Sequence, residues 1–134
     1  MKQNKPCCNA APIGLGQEIG GSAPGKVLVI STESLGRSDE ELGRILVRSL
    51  LNTLAESAAL PAKIVLLNSG VRLACEQDDT VEALVKIGTR GVEVMACGTC
   101  LKHFGLLDKL RAGRVSNAHE ILAATLGAPT LHWA

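Results

Sequence analysis

Short β-branched apolar runs alternate along the chain with longer stretches in which apolar residues recur every three or four positions. Val27–Ser31, Ile64–Asn68 and Val92–Ala96 read as three strands, and Arg114–Val115 and Pro129–Trp133 as two further candidates. Between the first two strands, Leu42, Ile45, Leu46, Leu50 and Leu54 predict a helix whose leucine face lies on a sheet. Ser38 and Glu41 form a capping box for it, Asp39 and Glu40 put negative charge in its first turn, and Pro61 lies beyond its end. A second helix, about Asp79 to Ile87, carries Val81, Leu84 and Val85 on one side and stops before Gly88. The last third predicts a short helix near Cys100–Phe104 and another from about Asn117 to Leu126. The latter is capped by Ser116 or Asn117, with Ile121, Leu122 and Leu126 as its apolar side.

Strands alternating with helices predict βαβ units around a parallel sheet. The expected fold is therefore an α/β three-layer sandwich with a mostly parallel sheet of about five strands, right-handed crossovers and a flavodoxin-like 2-1-3-4-5 order. Residues 1–25 are rich in Gly, Pro, Asn and Gln without periodicity, so they read as a flexible N-terminal arm, and residues 26–134 as one domain. Gly20 to Lys26 matches the start of a phosphate-binding loop, but Val27 stands where Ser or Thr is needed and the stretch precedes the first strand.

Composition narrows the function. Among 134 residues, 46% are hydrophobic and 20% charged, with 14 Lys and Arg against 13 Asp and Glu for a net charge of +1. That balance fits a globular core and argues against a nucleic-acid partner, as does the near-absence of aromatics beyond Phe104 and Trp133. No apolar run nears the roughly 18 residues of a membrane span. No secretory signal is legible near Met1, so the expected location is cytoplasmic, with no membrane partner. Five cysteines, an odd number, fit free thiols in a reducing compartment better than a disulfide framework.

The strongest local chemistry is Cys97-Gly98-Thr99-Cys100, placed where the third strand ends and a helix begins. In open parallel sheets ligands gather at the carboxyl ends of strands, and the expected order puts Cys97 on one lip of a crevice with Ser31–Gly36 on the other. A thiol at a helix start is expected to be more acidic, and cysteines three apart can attack adducts on one another, which suits dithiol exchange or persulfide transfer. Asn68, Ser69 and Gly70 close the second strand at the same edge. With Ser31, Gly98, Thr99 and Asn117 they are the candidate pocket residues.

Two blander readings stand beside this one. The pair can simply fill a strand-to-helix corner as small buried residues, or Cys97, Cys100 and His103 can bind zinc with Cys75 as a fourth ligand. Haem attachment is excluded, because Leu101 stands where histidine must follow the second cysteine. Cys75 reads as a packed thiol, Cys7 and Cys8 as part of the arm, and His119 and His132 as ordinary helix and strand residues.

From about Lys26 onward the chain resembles the C-terminal, DsrE-like domain of the YedF family, described as sulfurtransferase-like proteins of selenium metabolism. The resemblance rests on Val29-Ile30-Ser31, Gly36-Arg37-Ser38-Asp39-Glu40-Glu41-Leu42-Gly43, Leu67-Asn68-Ser69-Gly70-Val71 and Gly91-Val92-Glu93-Val94 running into Cys97-Gly98-Thr99-Cys100-Leu101. Gly105-Leu106, Lys109-Leu110, Gly113 and Val115-Ser116-Asn117 continue it. It implies a DsrE-like fold, cytoplasmic sulfur handling, and trimers or hexamers. Family members commonly carry a preceding TusA-like domain with a Cys-Pro motif, whereas this arm reads Pro6-Cys7-Cys8, so a separate TusA-like donor would supply the sulfur.

The leading expectation is a sulfur- or selenium-relay protein in which Cys97 or Cys100 carries a persulfide and the other resolves it, with donor and acceptor proteins as partners and no cofactor. Such a carrier need not turn over a small substrate. The competing expectation, from another class, is a non-catalytic binding or assembly module with structural cysteines.

Overall fold

The structure, a computed structural model, describes residues 25–133. The expected arm, with Cys7 and Cys8, lies almost wholly outside the described residues. In chain order the elements are β1 (Val27–Ile30), α1 (Glu40–Ala55), β2 (Lys63–Leu66), a 3-10 turn (Asn68–Ala74), α2 (Asp78–Thr89) and β3 (Glu93–Cys97). They continue as α3 (Gly98–His103), a 3-10 turn (Leu107–Lys109), β4 (Arg114–Ser116), α4 (Ala118–Leu126) and β5 (Thr130–Trp133).

Alternation along the strands builds two cores. Leu28, Ile30, Ile64, Leu66, Val94 and Ala96 join Val47 and Leu51 of α1 and Val81, Leu84 and Ile87 of α2 in the larger one. The intervening Val27, Val29, Val65 and Met95 form a smaller cluster against Ile121 of α4. Strands buried on both faces explain why each reads as a continuous apolar run. The chain is thus the expected α/β sandwich, with five strands, all parallel.

The strand order is 4-3-2-1-5, not the expected 2-1-3-4-5. The first three crossovers each step one strand in the same direction, which puts α1 and α2 together on one face. The return through α4 crosses the other face and delivers β5 to the free edge beside β1. The consequence for the site is direct, since β2 separates the end of β1 from the end of β3.

The buried seam of α1 also differs from expectation. Gly43, Val47, Leu51 and Ala55 face the core, while Leu42, Ile45, Leu46 and Leu50 are 39–51% exposed. Close approach decides this. A Cβ at position 43 would stand 2.2 Å from Ser34 Oγ and 2.6 Å from the Leu35 carbonyl oxygen, so only glycine admits the β1–α1 loop. The helix is capped by Asp39 rather than Ser38, the Asp39 carboxylate accepting the Leu42 N–H at 3.0 Å. Arg48 reaches toward Asp79 of α2, which leaves Leu42, Leu46 and Leu50 on the opposite flank of α1. In α2, Thr80, Val81, Ala83, Leu84 and Ile87 are buried and Val85 is exposed. On α4 only Ile121 of the expected apolar side packs inward, Leu122 and Leu126 being exposed.

Candidate functional site

β3 ends at Cys97, and α3 begins at the next residue with Cys97 as its N-cap. Leu101 is fully buried and anchors α3 to the core, which holds the short helix against the sheet edge. Gly98 permits the turn, because a Cβ there would meet the Ser116 carbonyl oxygen and Val115 Cγ1, each at 3.1 Å. This corner brings the Cys97 and Cys100 sulfurs to 3.4 Å, with both thiols free and half-buried.

The wall opposite Cys100 comes from β2. Asn68 opens the 3-10 turn in the left-handed region, with φ 49°, and its backbone N–H donates to Cys100 Sγ at 3.1 Å. Asparagine tolerates that conformation better than most side chains. One turn further along α3, Phe104 lies beneath the Arg72 guanidinium, 4.5 Å from the ring centroid. The 3-10 turn and α3 therefore run side by side with two rungs, Asn68 to Cys100 and Arg72 to Phe104. Neither rung has a sequence motif. Arg72 Nε is buried without a hydrogen-bond partner among the described residues, while its NH1 stands 3.5 Å from Glu76.

Burial is the main influence on the Cys100 thiol and pushes its pKa up. The Asn68 N–H works in the other direction, and the adjacent Cys97 sulfur raises it again. Cys75 is buried as expected, and burial raises its pKa too.

The other expected pocket residues spread around this corner. Ser69 turns away from the thiols, its Oγ accepting the Glu33 N–H at 3.2 Å. Gly70 is buried against β1, where a Cβ would stand 2.2 Å from the Ile30 carbonyl oxygen. Ser31 lies beyond β2, its N–H directed at the Trp133 carbonyl at 3.4 Å, so it does not form the second lip. Thr99 is exposed, and the Asn117 side chain is engaged in capping α4 by accepting the Glu120 N–H at 2.9 Å. Asn68 is thus the residue of the expected β2 edge that touches the pair.

A zinc set is not assembled. Among the described residues no three His, Cys, Asp or Glu side chains gather to hold a metal, and His103 packs edge-on against Phe104.

Solved structures share this fold. The YchN protein from E. coli superposes with a TM-score of 0.55 at 19% identity, over 81% of this chain and 98% of that one. MTH1491 from Methanobacterium thermoautotrophicum, a protein of unknown function, gives 0.53 at 19% identity, over 80% and 96%. BT1422 from Bacteroides thetaiotaomicron, also of unknown function, gives 0.54 at 15% identity, over 81% and 94%. The fold is DsrE-like. At these identities the likeness concerns the fold alone. No protein-family model matches the chain, and no curated protein matches it in sequence. No helix among the described residues is long and apolar enough to cross a membrane.

Proposed function

We propose that this DsrE-like chain is a cytoplasmic sulfur-relay protein of the YedF type, in which Cys97 takes a zero-valent sulfur or selenium atom from a donor and passes it to an acceptor. The observation that carries the reading is the 3.4 Å contact between two free thiols at the carboxyl edge of a parallel sheet. Cys97 is assigned the cargo because Cys100 is the constrained partner. Cys100 is fixed by the Asn68 N–H, and burial pushes its pKa up. A persulfide forms when the Cys97 thiolate attacks the outer sulfur of a donor persulfide and the donor thiolate leaves. A TusA-like protein is the donor class this reading requires.

Assembly belongs to the same proposal. Leu42, Leu46 and Leu50 line the flank of α1 away from α2, and β5 leaves an open sheet edge with Leu131 59% exposed. A second copy can cover both the leucine flank and the open edge in one contact, since a self-complementary interface repeats the same patch on each side.

The test is intact mass after incubation with a persulfide donor, on the wild type and on Cys97→Ser and Cys100→Ser. The reading expects one added sulfur on Cys100→Ser and none at this site on Cys97→Ser. Equal loading of neither variant, with both retaining full function in cells, would favour the structural-cysteine module instead.

A further inference from the structure

The relay reading leaves open what becomes of cargo that no acceptor collects. Cys100 bears on that question, because its sulfur touches the sulfur that the proposal makes the inner atom of the persulfide. We infer that the pair discharges its own cargo: Cys100 attacks Cys97 Sγ, a Cys97–Cys100 disulfide forms, and the outer sulfur leaves as hydrosulfide. This rests on the reading of Cys97 as carrier and adds a second activity, reductive release of sulfide, or of selenide if the cargo is selenium.

The geometry selects the inner sulfur. A disulfide bond is about 2 Å long, so the 3.4 Å between the two sulfurs leaves little more than 1 Å to close. Attack on divalent sulfur runs in line with the bond that breaks, and Cys97 is only half-buried, so part of its surface is open to a departing atom. Asn68 holds the nucleophile. Its N–H donates to Cys100 Sγ from a residue in the left-handed region, so the Cys100 sulfur is fixed by the main chain and Cys97 supplies the motion.

The step balances without an outside oxidant. The Cys97 persulfide S–S bond breaks and its electron pair leaves on the outer sulfur, which is reduced by two electrons. The Cys97 and Cys100 sulfurs are oxidised together by those two electrons as the disulfide between them forms, and the Cys100 proton goes to solvent or to the departing hydrosulfide. One release leaves a disulfide. A second requires a reductant of the dithiol class, for which dithiothreitol is the probe. Acceptor proteins and Cys100 then compete for the same loaded Cys97, which makes Cys100 a limit on how long cargo is held.

The test uses full-length reduced chain loaded with glutathione persulfide and freed of excess donor. Sulfide is followed with time, and the tryptic peptide from Gly91 to Lys102, which holds both cysteines of the pair, is read by mass. The expected result is one sulfide released per loaded wild-type chain and a peptide lighter by two hydrogens. Cys100→Ser should keep its persulfide at least about tenfold longer, since the attacking group is no longer held beside it. Wild type holding its persulfide as long as Cys100→Ser would overturn the inference and leave the carrier reading standing. So would migration of the sulfur to Cys100 without sulfide. Failure of Cys100→Ser to load at all would instead remove the carrier reading, and this inference with it.

Discussion

Asn68 donates its backbone N–H to Cys100 Sγ at 3.1 Å from a left-handed conformation, so one thiol of the pair is held by the main chain of the neighbouring strand's exit. Replacing Asn68 by Gly should keep both the conformation and the contact. Asn68→Val should cost about 1–2 kcal/mol, because a β-branched residue is strained in the left-handed region. Urea unfolding of the two variants checks the cost. Alkylation of Cys100 in each should separate them again, because the strained Val variant shifts the backbone N–H away from Cys100 Sγ, where it favours the thiolate.

The raised pKa of Cys100 has a signed consequence for stability. A thiol that is harder to ionise in the folded chain than in the unfolded chain binds its proton more tightly when folded. Its contribution is complete below the ordinary thiol pKa of about 8.5 and is lost as pH rises through the folded value. Cys75, raised by burial, acts in the same direction. Urea midpoints should therefore fall between pH 7.5 and pH 10 in the wild type. The fall should be smaller in Cys100→Ser, and an unchanged fall would contradict the assignment.

The α1 seam gives a sharp mutational contrast. Leu51→Ala removes a fully buried side chain and should cost about 2–5 kcal/mol. Leu46→Glu, on the exposed flank, should leave monomer stability within about 0.5 kcal/mol. The same variant should shift the chain to a smaller species in analytical ultracentrifugation if a second copy covers that flank. A single monomeric species for the wild type would remove the assembly proposal.

Gly70 is required by contact rather than by conformation. An added methyl would meet the Ile30 carbonyl oxygen at 2.2 Å, and that oxygen belongs to a central strand that cannot yield cheaply. Gly70→Ala should destabilise the fold by about 2–3 kcal/mol in urea unfolding.

The sequence carries the strands plainly because buried parallel strands are continuous apolar runs, and it carries the thiol pair because Cys97 and Cys100 flank a strand-to-helix corner. Helix orientation was less legible. Leu42, Ile45, Leu46 and Leu50 make as good a helical stripe as Gly43, Val47, Leu51 and Ala55, and the buried one is partly built of small residues that no hydrophobic pattern marks. Strand order was not legible either, since the return of β5 to the β1 edge depends on α4 crossing the opposite face. For that reason Ser31 was expected beside Cys97, whereas β2 supplies the neighbour, and it does so through a backbone N–H that any residue carries. Arg72 over Phe104 has no periodic signal at all.

The central claim is that Cys97 carries the sulfur. Fragment-ion mapping of the Gly91–Lys102 peptide from persulfide-loaded Cys100→Ser tests it most directly. The account predicts the added sulfur on Cys97, with loading abolished in Cys97→Ser. Sulfur found only on other cysteines, or none on the peptide from either variant, would contradict it.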